Sequence, residues 1–171
     1  MKKEKSANLT QPEGAEEHER YRHLLFNHVP IFTTRLVKET VLSFRSRTRL
    51  TTPQDVATIL TEYFEDRDRE EFLVCVLDNA GTLTALSCIS VGGIASSIVE
   101  PRQVFKVAIL TNAASLILAH NHVSGNPEPS DADLRITRQL VEAGKIIGIA
   151  VHDHLIIVDG GYVSLAERGL L

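Results

Sequence analysis

Residues Ala119 to Glu128 read A-H-N-H-V-S-G-N-P-E, and Pro129, Ser130 and Asp133 follow at set distances. His120 and His122 close the apolar run Ser115-Leu116-Ile117-Leu118-Ala119, which reads as a buried strand. Residues i and i+2 of a strand point to one face, so the two imidazoles converge. Gly125, Asn126, Pro127 and Pro129 then mark a turn-rich loop, and a helical pattern opens at Ser130. Asp133 therefore projects from a first helical turn, where the helix dipole favours the carboxylate over the acid. A strand end, a tight loop and a helix start meet where an open α/β sheet usually holds its ligand. Two histidines and one aspartate supply three protein ligands and leave a fourth tetrahedral position open, as in a catalytic rather than a structural zinc site.

A plainer assignment competes for the same residues. Ser130 with Asp133 is also S-x-x-D ahead of an apolar helix, a capping box in which neither residue touches a metal. One histidine of an H-x-H pair can likewise be a packed strand residue. The convergence of all four positions on one point favours the metal.

Outward from this stretch, Thr52-Pro53 starts a helix, with Thr as N-cap, Pro in the first turn, and Val56, Ile59, Leu60 and Phe64 along one face. Phe72 to Leu77 is a continuous apolar strand, turned by Asn79-Ala80-Gly81 into a second, Thr82 to Val91, which Gly92-Gly93 breaks. Ser97 to Val99 reads as a short third strand, and Pro101-Arg102 leads a helix through Phe105, Ala108 and Ile109. After the histidine strand come a helix from Asp131 to Ile146, strands near Ile149 to Val151 and His154 to Val158, and a Gly160-Gly161 turn into Tyr162-Val163. Upstream, residues 1 to about 16 are polar and read as disordered, and Glu17 to Asn27 and Thr34 to Phe44 read as short helices separated by Pro30. Alternating strands and helices with two hairpins predict a mixed-sheet α/β sandwich over residues 49–171, behind a partly disordered, helical N-terminal appendage over residues 1–48.

Composition fits one such domain with an appendage. The chain has 171 residues, 43% hydrophobic and 23% charged, with a net charge of -4, an ordinary balance for a soluble protein. No apolar run reaches the roughly 18 residues of a membrane span, and Met1-Lys2-Lys3-Glu4-Lys5 leads into polar sequence rather than a signal segment. A cytoplasmic protein without membrane contact is expected. Cys75 and Cys88 lie in apolar strand-like runs without C-x-x-C spacing and read as buried, reduced thiols. Arg35, Lys38, Arg45, Arg47 and Arg49 form a basic segment that could make weak contact with DNA phosphates, although a solvated helix face is the commoner reason for such a run. The acidic remainder argues against a dedicated nucleic-acid-binding domain.

The spacing H-x-H, seven residues, S, two residues, D resembles the motif of the JAMM (MPN+) metalloproteases, and the longer pattern resembles their RadC-like branch. The branch's HNHPSG-type box stands here as His120-Asn121-His122-Val123-Ser124-Gly125, and its P-S-x-x-D as Pro129-Ser130-Asp131-Ala132-Asp133. Its E-A-G-K helix end is Glu142-Ala143-Gly144-Lys145, and its D-H-L-I-I strand is Asp153-His154-Leu155-Ile156-Ile157. Glu71-Phe72 and Pro101-Arg102 match its E-F and P-R steps. Resemblance runs from about Arg49 to Leu171. Val123 replaces the usual proline, and residues 1 to about 48 do not resemble the helix-hairpin-helix region of full-length RadC proteins, so the chain is similar to the short, core-only members.

The resemblance implies a JAMM-type fold within the cytidine deaminase-like group and one zinc per chain held by His120, His122 and Asp133. It also implies a glutamate base distant in sequence, matched here by Glu71 at the start of the E-F strand. Register separates Glu71 from Glu70 only weakly. Ser130 would donate its hydroxyl to the oxyanion of a tetrahedral intermediate, besides capping its helix. Asn121, between the histidines, points to the opposite strand face and reads as a structural hydrogen-bonder. Of the second H-x-H, His152-Asp153-His154, Asp153 and His154 are candidates for orienting the ligands from outside rather than binding metal.

The expected function is a zinc-dependent metallopeptidase or isopeptidase acting on a peptide or protein substrate. The alternative is a DNA repair or recombination accessory module with a structural or vestigial metal site. The H-x-E and P-C-x-x-C of a cytidine deaminase are absent, and Gly92-Gly93 lacks the lysine of a phosphate-binding loop.

Overall fold

The computed structural model describes residues 49–92 and 99–171. The helices read at Glu17–Asn27 and Thr34–Phe44, the strand read at Ser97–Val99 apart from Val99 itself, and the basic segment apart from Arg49 lie outside the described residues. Among the described residues, no helix is long and apolar enough to cross a membrane.

The chain runs α1 (Pro53–Phe64), β1 (Glu71–Leu77), β2 (Leu83–Val91), α2 (Pro101–Leu110), β3 (Ser115–Asn121), α3 (Asp131–Ile147), β4 (Ala150–Val158) and β5 (Gly161–Ser164). The strands form one sheet in the order β2-β1-β3-β4-β5. Two hairpins make β1–β2 and β4–β5 antiparallel, β1–β3 is antiparallel as well, and α3 is the crossover that lets β3 and β4 run parallel. This is the mixed-sheet α/β sandwich expected from the sequence.

Strand alternation sorts the core into two layers. Leu73, Cys75 and Leu77 of β1, with Ile117, Ala119, Leu155 and Ile157, pack against α1. Phe72, Val74 and Val76, with Leu116 and Leu118, pack against α2 and α3. Each β1 residue thus belongs to one side or the other, a division that decides the chemistry below. α1 starts where the sequence placed it, with Thr52 and Asp55 forming a reciprocal capping box ahead of Pro53.

Gly144, of the E-A-G-K run, marks the closest approach of α3 to its own return. A Cβ added there would lie 2.5 Å from the Ile149 carbonyl oxygen. Gly148 then ends α3 with φ of 81°, a left-handed conformation that glycine adopts without strain.

Two expectations are corrected. The strands read at Ile149–Val151 and His154–Val158 are one strand, Ala150–Val158. Leu116 pairs with Val151 and Ile117 with Asp153, so exposed His152 is a bulged residue that restores the register. Polar Asp153 looked like a break, but its buried carboxylate accepts from the His154 and Ala166 main-chain N–H groups and from the Ser164 hydroxyl. Cys88, expected to be buried like Cys75, is exposed; it lies on β2, the edge strand of the sheet among the described residues.

Candidate metal centre

β3 delivers His120 from the sheet, and His122 follows one step past its end, its N–H bonded to the Ile157 carbonyl of β4 (2.9 Å). The chain then turns back through Gly125, whose N–H bonds to the His122 carbonyl (3.0 Å) and whose φ is 74°. Arg168 grips Glu128 through two bonds of 2.8 and 3.1 Å, tying the outer part of this loop to the C-terminal segment. Asp133 enters from the first turn of α3 and is buried.

These three side chains meet. His120 Nε2 and His122 Nε2 are 2.9 Å apart, and they lie 3.4 and 3.5 Å from Asp133 Oδ1 and Oδ2 respectively. One ligand atom from each residue lies within 4.8 Å of the others, a grouping that could hold a metal ion. The donor set suits a divalent cation: one carboxylate and two imidazole nitrogens, with His120 and Asp133 buried and His122 part-exposed at the mouth. His122 Nδ1 lies 2.6 Å from the Asn126 carbonyl, which can only accept, so Nδ1 carries a proton and Nε2 is the nitrogen that His122 turns toward the group.

The electrostatics agree. Burial works against the charge of Asp133, yet the hydrogen bond from His122, the His120 imidazole and the two Ser130 donors hold its carboxyl well below the usual carboxylate range. Burial pushes His120 down to about 4, with Asp133 opposing. The hydrogen bond to Asp133 pushes His122 up against its own partial burial, and the charge of Glu70 acts in the same direction. A proton and a metal ion would compete for this point.

Ser130 is the N-cap of α3. Its hydroxyl donates to Asp133 Oδ2 (2.6 Å), its N–H donates to the same oxygen (2.7 Å), and it accepts from the Asp133 N–H (3.2 Å). The capping box and the metal group therefore share Asp133. Asp133 spends Oδ2 on the cap and keeps Oδ1 beside His120.

Glu71 does not join the group. Alternation puts it on the α1 face, opposite Phe72 and His120, and its buried carboxylate accepts from the Tyr63 hydroxyl (3.0 Å), with Arg67 3.6 Å away. It braces β1 against α1. Glu70 has the parity of Phe72, on the face that carries His120, and its charge reaches His122. Of the two acids that the sequence separated only weakly, Glu71, the one matched by the E-F step, is turned away from the histidines. Asn121 holds the Glu70 main chain from both sides, its Oδ1 accepting from the Glu71 N–H (2.7 Å) and its Nδ2 donating to the Arg69 carbonyl (3.0 Å).

Asp153 also stays away from the metal group. It closes the turn after β5 through Ser164 and Ala166, since it sits on the α1 side of β4. His154, fully buried on the other side, lies against His120 and Thr137. Thr137 was not singled out from the sequence, although it follows Asp133 by one helical turn and so shares its face.

Residues 50–170 match the family model described as RadC-like JAB domain. A UPF0758 protein of Salinibacter ruber is 52% identical over 125 residues, covering 73% of this chain and 54% of the relative. UPF0758 proteins of Syntrophomonas wolfei subsp. wolfei and Moorella thermoacetica are 46% and 49% identical, over 78% and 74% of this chain and 59% and 55% of their own lengths. The chain thus spans little more than half the length of the curated relatives it matches. With seven-tenths of its residues inside the matched domain, the chain belongs to the RadC-like JAB domain family.

Proposed function

We propose that the chain is a zinc-dependent hydrolase of peptide or isopeptide bonds, with Glu70 rather than Glu71 as its base. The observation that carries this reading is the convergence of His120 Nε2, His122 Nε2 and the Asp133 carboxylate on one point, below the face that Glu70 shares. A zinc ion held there supplies Lewis acidity and makes a water nucleophilic at neutral pH. Glu70 takes the proton of the attacking water and returns it to the leaving nitrogen. Asn121 fixes the peptide groups on either side of Glu70, and the Gly92 N–H holds the Glu70 carbonyl (2.7 Å), so the base stands on a clamped backbone. Ser130 is exposed beside the group, and its hydroxyl can turn from Asp133 to a developing oxyanion once the carboxylate is neutralised by a cation.

A groove of about 570 Å³ opens beside His122, walled by Thr58 and Glu62 of α1 and by Val123 and Asp159. Of the metal group it takes in His122 alone, because it lies on the α1 side of the sheet.

The test is in two parts. Purified protein is expected to carry about one zinc per chain, lost in His122→Ala. Profiling of new peptide amino termini in a cell extract should then show cleavages made by the zinc-loaded protein and absent with Glu70→Gln, which keeps the metal. Unchanged cleavage by Glu70→Gln would remove the base assignment. A zinc-loaded chain that generates neither new amino termini nor newly freed lysine side chains beyond those of Glu70→Gln would remove the hydrolase reading.

A further inference from the structure

The ligand His120 has a second nitrogen, and what it touches extends inward as a chain. His120 Nδ1 lies 2.8 Å from His154 Nε2, and His154 Nδ1 lies 2.5 Å from Thr137 Oγ1. Thr137 Oγ1 in turn lies 2.6 Å from the main-chain carbonyl of Asp133. His120, His154 and Thr137 are all buried, and no buried side-chain nitrogen or oxygen among the described residues lacks a partner.

The direction of each bond can be worked out from the carbonyl end. A carbonyl oxygen only accepts, so the single hydroxyl proton of Thr137 goes to Asp133. Toward His154 the threonine oxygen has only lone pairs left, so His154 Nδ1 must carry a proton. A neutral imidazole has one N–H; His154, buried beside apolar Phe72, therefore turns a bare Nε2 toward His120. His120 must then donate from Nδ1, leaving its own Nε2 bare. Nothing in the sequence spacing predicts this ordering.

We propose that Thr137 and His154 are positioning residues that lock His120 as its Nδ1–H tautomer, so that its Nε2 lone pair is aimed at the metal point before any ion arrives. The chain starts on the main chain of Asp133 and ends on His120, so it ties two of the three ligands together through α3, β4 and β3. Asn126 holds the Nδ1 proton of His122 in the same way, so both ligand imidazoles turn Nε2 toward the metal point, 2.9 Å apart. The inference rests on the reading of His120, His122 and Asp133 as ligands, and it concerns how that set is prepared.

The experiment uses the whole chain and two independent readouts. Long-range nitrogen–proton NMR of the metal-free protein reports the imidazole tautomers directly. Competition with a chromophoric chelator reports Zn2+ and Co2+ affinity. The expected result is His120 protonated at Nδ1 alone, and an affinity 10- to 100-fold lower in the isosteric Thr137→Val, the usual cost of removing such outer partners. Thr137→Ser, which keeps the hydroxyl, should restore both. Finding His120 as the Nε2–H tautomer in the native protein would overturn the inference, as would a folded Thr137→Val that binds both ions as tightly as the native chain. If the native chain binds neither ion yet shows the expected tautomer, the ligand reading fails while the ordering of the chain stands.

Discussion

Zinc should raise the thermal stability of this chain, and the size of the effect follows from what the ion would bind. The three ligand atoms come from β3, the loop behind it and α3, so they meet only when the crossover is folded, and the unfolded chain offers no comparable site. An ion present at 100 times its dissociation constant and bound only by the native state adds about 2.7 kcal/mol. For a chain of this length that corresponds to a rise of about 5 to 10 °C in the unfolding midpoint. Asp133→Asn should abolish the increment and also weaken the metal-free protein. The oxygen that accepts both Ser130 donors at 2.6 and 2.7 Å would lose its charge at a helix N-terminus, at a cost of about 1 kcal/mol. His122→Ala should lose the increment without that cost, because its side chain takes no part in the cap. Calorimetry of metal-free and zinc-loaded samples decides it. An equal zinc-induced rise in native protein, Asp133→Asn and His122→Ala would place the ion elsewhere, and no rise in native protein at saturating zinc would remove the site.

Glu71→Gln should lower stability by about 1 kcal/mol in denaturant unfolding while leaving zinc content and turnover intact, since the amide still accepts from Tyr63 and the half-exposed Arg67 contributes little to the pair; an emptied metal site would refute its placement on the α1 face. Gly144→Ala should destabilise by about 2 kcal/mol, because a methyl 2.5 Å from the Ile149 carbonyl must push α3 off β4, outweighing the helix-propensity gain of about 1 kcal/mol. A more stable Gly144→Ala variant would show that the two elements are not so close. In native protein at neutral pH, iodoacetamide should modify Cys88 alone, because burial pushes the Cys75 thiol up to about 12, and both should react in denaturant. Mass spectrometry of the labelled peptides reads this directly, and early labelling of Cys75 would contradict its place in the core.

The parts of this molecule that could be read from its sequence are those where one local pattern determines both the element and its direction. Val56, Ile59, Leu60 and Phe64 recur at helical spacing behind a Thr-Pro start, and they form the buried face of α1. His120 and His122 needed only the period of a strand to be placed side by side, and Asp133 only its distance from the cap. Harder to read were residues whose role depends on the far side of the sheet. Glu70 and Glu71 are adjacent acids in an acid-rich stretch, and their identities say nothing of which one faces the histidines; that follows from β1 pairing Phe72 with His120. Asp153 interrupts an apolar run in the sequence, yet in three dimensions it is satisfied from β5 and the turn beyond, elements whose pairing no local period announces. Thr137 and His154 are seventeen residues apart, and the return of α3 onto the sheet brings them to 2.5 Å. The strand parity that sends Glu71 to Tyr63 also frees Glu70 for the histidine face, so a single-residue shift in the register of β1 would exchange the roles of the two acids. Asn121 is well placed to prevent that shift. Its amide bonds both peptide groups flanking Glu70 and is itself set between the two histidines at the end of β3, so the main chain of Glu70 and both histidines are tied to one strand.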